Sequence, residues 1–298
     1  MITWLIGENS FEVREALKSI ESKFDGSPER IDGTELTLAQ LPDLLMGMSL
    51  FATERLVVIQ DISRNSSMWE KLPEWLPRIN DAIHVVFIDT KPDKRTTSYK
   101  ALKAAASVEE FTPWTDRDTQ KAEQWVKARM GQYQLDLDAA TASHLVRRVG
   151  LDQWRLSQAL DTLSLLDTVT IDAIDQIIPA SPTENVFQLF ETALEGDSRK
   201  VSESIATLEL TEDPYALFAL LSSQALTLAT VAYAQEGDNA PKDFAIHPFV
   251  ASKLGRHAKR LGEHKVASIV ELFAKADADL KRSRGEPWLI IEKTLLSI

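Results

Sequence analysis

Thr3-Trp4-Leu5-Ile6-Gly7-Glu8-Asn9-Ser10 is the stretch whose reading decides the fold. Four residues of buried-strand character run into a polar turn, after which Val13, Leu17 and Ile20 recur at helical spacing. A strand delivered through a short turn into a helix is the opening of an α/β unit. Asn9 with Glu12 three residues later reads as a variant capping box that starts the helix. The same turn is where a phosphate-binding loop would sit. Such a loop needs glycines so that backbone N–H groups can face phosphate, a Lys for the β/γ-phosphates and a Ser or Thr for magnesium. Here one glycine is present, lysine is absent, and Glu8 adds a carboxylate that repels phosphate.

Outward from that turn the pattern continues to alternate. Glu29-Arg30-Ile31-Asp32, Arg55-Leu56-Val57-Val58-Ile59, Ile83-His84-Val85-Val86-Phe87-Ile88 and Val108-Glu109-Glu110-Phe111 read as strands. Helical segments separate them: Leu38 to Met46, ended by Gly47; Trp69 to Ile79, interrupted by Pro73 and Pro77; and Ser98 to Ala106. Strands alternating with helices predict a mostly parallel sheet. After Pro113 no further strand is expected. Stripes at Ala122-Trp125-Val126, Leu145-Val146-Val149, Trp154-Leu156-Leu160-Leu163 and Ile171-Ile174-Ile177-Ile178 predict four short helices. Pro179-Ala180-Ser181-Pro182 reads as a linker. Beyond it, helices are expected near Val186 to Leu194, Arg199 to Leu208, Tyr215 to Ala234, Pro248 to Arg260, Lys265 to Arg282 and Leu289 to Leu296. The fold class is therefore α/β with a mostly parallel sheet, then a small helical domain, then an all-α domain: residues 1–115, 116–180 and 181–298.

Much chemistry is excluded. The 298 residues contain no cysteine, which removes disulfides, thiol catalysis and thiolate zinc sites, and fits a reducing cytosol. His84, His144, His247, His257 and His264 form no metal-ligand spacing. Asp61 and Asp89 end successive hydrophobic strands, where a magnesium-holding carboxylate can lie, but without a phosphate loop they are expected to face solvent. Glu109 and Glu110 are adjacent on a strand and point to opposite faces. No catalytic, metal or cofactor site is expected. Met1-Ile2-Thr3-Trp4-Leu5-Ile6 is too short for a signal peptide. Asp213 to Glu236 encloses a charge-free stretch long enough to span a bilayer, but its central Ser222, Ser223, Gln224, Thr227 and Thr230 favour a buried bundle helix; no membrane partner is expected. The net charge of −12 argues against a freestanding nucleic-acid binder. From Asp238 onward, eleven Lys or Arg stand against eight Asp or Glu, leaving −15 for the rest. That mildly basic end is either a solvated helix face or a surface that meets DNA or an acidic partner.

The order of several fragments resembles the delta subunit family of the bacterial DNA polymerase III clamp loader. Leu5-Ile6-Gly7-Glu8 with Val13-Arg14-Glu15-Ala16-Leu17 is similar to that family's opening, and Met48-Ser49-Leu50-Phe51-Ala52 before Arg55 to Ile59 to the segment entering its central strand. Asp93-Lys94-Arg95 with Tyr99-Lys100-Ala101-Leu102, Val149-Gly150-x-Asp152-x-Trp154, Asn185-Val186-Phe187 with Leu194-Glu195-Gly196-Asp197, Ile246 to Val250 and Pro287-Trp288-Leu289 succeed one another in family order. Ile62 to Ile79 does not match. The resemblance implies an AAA+-like domain without a phosphate loop, a helical lid and a helical collar. It implies a cytoplasmic, non-catalytic subunit of a DNA-directed DNA polymerase (nucleotidyltransferase) assembly that binds and opens the sliding clamp for chromosomal replication. The collar would join the other loader subunits in a hetero-pentamer whose partners hydrolyse ATP, and primed DNA would be met through that complex.

Met48, Leu50 and Phe51 are the clamp-binding residues the resemblance implies. Taken alone they read as core residues entering a strand, although their place between Gly47 and Glu54-Arg55 puts them near a turn, where apolar side chains can be exposed. Lys281, Arg282, Arg284 and Trp288 form a basic run beside an aromatic, suited to phosphate pairing and base stacking on DNA, or simply to a helix C-terminus. Two other readings stay open: an ATP-free scaffold of AAA+-like architecture in a different DNA-processing assembly, and an enzyme with an unrecognised site in the α/β domain.

Overall fold

The computed structural model describes residues 1–47, 54–234, 243–244, 246 and 248–298, the side chain of residue 116 excepted. These form two compact units, Met1–Trp114 and Thr115–Ile298.

The first unit is a five-stranded sheet of β1 (Ile2–Ile6), β2 (Glu29–Asp32), β3 (Arg55–Gln60), β4 (Ile83–Asp89) and β5 (Ser107–Glu110) in the order β2-β3-β4-β1-β5. Every pairing is parallel, with Trp4 opposite Phe87 and Val57 opposite Val85. The helices are α1 (Ser10–Glu21), α2 (Leu41–Met46), α3 (Ser66–Trp75) and α4 (Thr97–Ala105). Alternate strand residues point to opposite faces, and both faces are filled. Trp4, Ile6, Val57, Ile59, Val85 and Phe87 pack with residues of α2, α3 and α4. Leu5, Leu56, Val58 and Val86 pack with Val13 and Leu17 of α1. Burial on both faces is why the strands read as unbroken hydrophobic runs rather than alternating ones.

Some boundaries differ from the sequence reading for local reasons. Asn65 accepts a hydrogen bond from the Met68 amide, so α3 begins three residues before Trp69. The helix carries Pro73 internally and passes into a tight turn at Leu76–Arg78 that takes Pro77. Asn9 caps α1 as expected, accepting from the Glu12 amide at 3.2 Å.

Asp89 corrects the expectation of a solvent-facing carboxylate. It is 1% exposed; Trp4 Nε1 donates to Oδ2 and the Ser63 amide to Oδ1, both at 2.9 Å. Trp4 also meets Trp69 and Tyr99 at ring separations of 6.1 and 5.0 Å, so the carboxylate fastens the aromatic cluster at the end of the sheet.

The second unit is all-helical among the described residues: α5 (Thr119–Arg129), α6 (Ala139–Val149), α7 (Gln153–Leu163), α8 (Ile171–Ile177), α9 (Pro182–Glu195), α10 (Ser198–Leu208), α11 (Pro214–Tyr233), α12 (Pro248–Lys281) and α13 (Pro287–Leu296). The linker expected at residues 179–182 is shorter, because Ser181 caps α9 and Pro182 fills its first position. α12 breaks at Gly262, whose φ of 75° lies in the left-handed region, which matches the expected pair of helices. The core of α9 to α13 includes Phe190, Leu221, Leu254, Ile269 and Phe273. By length and composition α11 could cross a membrane. Its Leu217, Phe218, Leu221, Ala225 and Leu228 are in the core of the helical unit, whereas Tyr215, Leu226 and Tyr233 are exposed, so the helix buries one face in the bundle.

Arg148 and Arg147 tie α6 to α8 and α9. Arg148 donates to the carbonyls of Ile178 and Asp175 and pairs with the Asp175 carboxylate at 2.9 Å, while its own carbonyl accepts from the Ser181 amide. Arg147 pairs with buried Glu184 at 3.6 Å and lies 4.0 Å over the Phe249 ring.

Burial raises the Asp89 pKa above the ordinary 3.8, against the opposing pull of the Ser63 and Trp4 hydrogen bonds. The stability tied to this group is then full below pH 3.8 and declines as pH rises through the raised midpoint. Carbon-13 NMR titration of the carboxyl should give a midpoint above 3.8; one at or below it means that burial does not govern this group. Asp89→Asn leaves one donor facing an amide N–H and should cost about 1–3 kcal/mol in chemical denaturation.

Candidate functional site

Met48, Leu50 and Phe51 lie outside the described residues. What is described is the frame that holds the two ends of their segment. α2 ends at Gly47, whose amide donates to the Asp43 carbonyl at 3.1 Å. A side chain there would place its Cβ 2.4 Å from that carbonyl oxygen, so only glycine fits this close turn. On the far side, β3 begins at Arg55, and the Arg55 amide donates to the Ala82 carbonyl at 3.0 Å.

The Arg55 side chain closes the frame. Its Nε and Nη2 donate to the two carboxylate oxygens of Glu29 on β2, each at 2.8 Å. Its Nη1 donates to the carbonyls of Asp43 and Gly47. One planar guanidinium therefore joins the edge strand, the end of α2 and the start of β3, a geometry lysine cannot reproduce. The Glu29 hydrogen bonds raise the Arg55 pKa, and the Arg55 hydrogen bonds hold Glu29 below its ordinary 4.5. Sequence reasoning does not find this residue. It places Arg55 on one strand and Glu29 on another, and nothing in their 26-residue separation marks them as partners.

The turn after β1 is closed in a different way. Gly7 has φ of 141°, and a Cβ there would come 1.8 Å from the Phe111 carbonyl oxygen. The Gly7 amide donates to the Asp89 carbonyl, the Asn9 amide to Phe111, the Ser10 amide to Glu8 and the Glu12 amide to the Asn9 side chain. Four of the N–H groups of this turn and first helical turn are thus engaged within the fold. A cleft of about 140 Å3 remains beside the turn, lined in part by Glu8, Lys91, Lys94 and Glu110. Its charges are paired: Lys91 with Glu8 at 3.4 Å, Lys94 with Glu110 at 3.3 Å. Among the described residues no group of three or more potential metal ligands forms.

The basic run near the C-terminus changes character in three dimensions. Lys281 pairs with Asp277 at 2.7 Å and Arg284 with Asp279 at 3.5 Å. Trp288 packs partly buried against the helical core, and the Glu286 side chain caps α13. Arg282 is exposed and has no ion pair among the described residues.

These features sit on a chain with clear relatives. The family model for the DNA polymerase III delta subunit matches residues 3–112, and the model for the C-terminal domain of the same subunit matches residues 183–298, together more than half of the chain. The chain belongs to the DNA polymerase III delta subunit family. It is 24% identical over 233 residues to "DNA polymerase III subunit delta" of Bacillus subtilis, covering 73% of this chain and 65% of that protein, so it spans just under two thirds of that relative's length. The Escherichia coli protein of the same name is 22% identical over 259 residues, covering 84% of this chain and 76% of its own. The solved Bacillus subtilis DNA clamp loader delta protein has the same fold, with a TM-score of 0.53 at 19% identity over 99% of this chain and 94% of that one.

The fork has two measurable consequences. Glu29 should titrate below 4.5 in the intact protein and return to about that value in Arg55→Ala. Because its folded pKa is lowered, the stability it contributes is present above pH 4.5 and is lost as pH falls through the lowered midpoint. Arg55→Ala should also cost about 1–3 kcal/mol in urea denaturation, since it leaves charge-assisted hydrogen bonds unmade. A Glu29 titration unchanged by the substitution would mean that the fork does not form in solution.

Proposed function

We propose that this chain is the clamp-gripping subunit of a cytoplasmic DNA polymerase III clamp loader. It binds the ring-shaped sliding clamp, opens one of its interfaces and does this without binding ATP or catalysing a reaction. Family membership across residues 3–112 carries the reading, because that match includes the segment that would engage the clamp. In this reading residues 1–115 are the AAA+-like clamp-binding domain, 116–180 the lid and 181–298 the collar that joins the other loader subunits in a hetero-pentamer. Primed DNA is reached through that complex. Lys281, Arg282, Arg284 and Trp288 remain a proposed contact with it, weakened by the two ion pairs and by the packing of the indole.

Met48, Leu50 and Phe51 are the residues proposed to enter a hydrophobic pocket on the clamp. Burying each such side chain is worth roughly 1.5–3 kcal/mol, so the three supply at most about 5–9 kcal/mol before association costs. That is enough to make them hot spots of a small interface. The Arg55 fork supports this by fixing both ends of the segment: less conformational freedom is then lost on binding.

A Leu50→Ala/Phe51→Ala variant should fail to retain the purified sliding clamp in a pull-down while keeping wild-type circular dichroism and melting temperature. Unfolding of the variant would make these residues core and end the assignment.

Absence of ATP binding is supported by the engaged amides of Gly7, Asn9, Ser10 and Glu12 and by the Glu8 carboxylate. Calorimetric titration of the isolated chain with ATP and magnesium should give no binding heat. Saturable binding would overturn this part of the proposal.

A further inference from the structure

The helices α5 to α8 and the bundle of α9 to α13 belong to one compact unit, yet the bundle has an apolar core of its own. Among the described residues, that core contains nothing before Val186. Leu145, Leu156, Leu160 and Ile174 of α6 to α8 are buried without joining it. Residues 178–181 connect α8 to α9. A shared hydrophobic core therefore does not weld the two parts together. The junction is crossed instead by two adjacent arginines of α6.

Arg148 holds the connector from both sides. Its Nε donates to the Ile178 carbonyl at 2.5 Å and its Nη2 to the Asp175 carbonyl at 2.7 Å, groups that the end of a helix leaves without partners. Its Nη1 pairs with the Asp175 carboxylate at 2.9 Å, and its own carbonyl accepts from the Ser181 amide at 2.6 Å. Arg147 reaches further into the bundle. It pairs with buried Glu184 of α9 at 3.6 Å and lies 4.0 Å over the Phe249 ring of α12. His144 joins the two ties. Its Nδ1 lies 2.5 Å from Arg147 Nη2 and its Nε2 2.8 Å from Asp175 Oδ1. A guanidinium can only donate, so Nδ1 accepts and the ring proton sits on Nε2, facing Asp175. Asp175, His144, Arg147 and Glu184 thus form a continuous polar chain from α8 through α6 to α9.

We propose that His144, Arg147 and Arg148 form a reversible lock on the connector at residues 178–181. Closed, as in this structure, it makes α5 to α8 and the bundle one rigid body; open, it leaves the connector as a hinge about which the small helical part turns. Two features make the lock reversible. Opening it uncovers no shared apolar core, so it carries little of the hydrophobic cost that separates welded domains. Ion pairs taken out of water also gain little net free energy, because desolvation offsets much of the attraction, and the freed ions regain their water. The polar chain therefore specifies one geometry without favouring it strongly, which is what a two-position joint requires. A short non-helical connector is where such a motion is absorbed. The proposal involves neither the clamp nor residues 48–51.

The test uses the full-length chain, which has no cysteine and so accepts nitroxide labels only where cysteine is introduced. Leu165→Cys and Leu210→Cys place one label on each side of the connector, at exposed positions. Double electron–electron resonance on this labelled chain should give a single narrow distance distribution. Arg147→Ala/Arg148→Ala should widen it about twofold or add a second distance, with helical circular dichroism unchanged. Arg148→Lys should act in the same direction, because an ammonium cannot hold two carbonyls and a carboxylate in one plane. His144→Leu should also widen the distribution, whereas His144→Gln should keep it narrow, since its amide can accept from Arg147 and donate to Asp175. A residue that only fills space would give the opposite order. The proposal is overturned if the distribution is already broad with all three residues in place, or if the arginine double variant, still helical, stays narrow. If that variant loses its helicity, Arg148→Lys decides by the same criterion.

Discussion

A parallel sheet covered on both faces confines its polar chemistry to the ends of its strands. β1, β3 and β4 have no solvent side, and their hydrophobic residues fill two separate cores. Polar groups at the strand ends must therefore be satisfied by fixed partners or remain in water. At β4 the Asp89 carboxylate takes the Trp4 indole and the Ser63 amide. At β3 the Arg55 guanidinium takes Glu29 and two carbonyls of the α2 end. At β1 the turn amides close onto Asp89, Glu8 and Phe111. These three strand ends are thus held by groups of the chain itself.

The Arg55 arrangement also bears on recognition. A short segment leaving one element and entering another samples many conformations unless its ends are fixed. Ordering it on a partner then costs free energy that the contact must supply. The fork fixes both ends through a single side chain, and Gly47 permits the close turn at one of them. Its effect is thus indirect: Arg55 positions the base of the segment that the proposal assigns to the clamp.

The sheet was largely legible in the sequence. Its strands stand out as continuous hydrophobic runs, and the Asn9 cap follows from residue type and spacing alone. The break at Gly262 falls between the two helices expected at Pro248 to Arg260 and Lys265 to Arg282. The features that escape a reading of the sequence depend on distance along the chain. Asp89 cannot be recognised there as buried, because its partner Trp4 lies 85 residues away. The start of α3 is obscured although Asn65 is a good cap, because Pro73 and Pro77 interrupt the helical pattern that the cap should introduce. The pairing of Lys281 with Asp277 is legible in principle: the two are four residues apart, and that spacing alone places them together on a helix.

The charge pattern shows why counting is a weak guide to a surface. The same excess of cations toward the C-terminus can be a neutral face or a positive one, depending on whether carboxylates fall in helical register. Asp277 does so with Lys281, and that part of the surface is neutralised. Glu263 would do so with Lys259, but a glycine with left-handed φ intervenes, and the cation is left to solvent. A kink that looks like a packing feature therefore also sets local electrostatics.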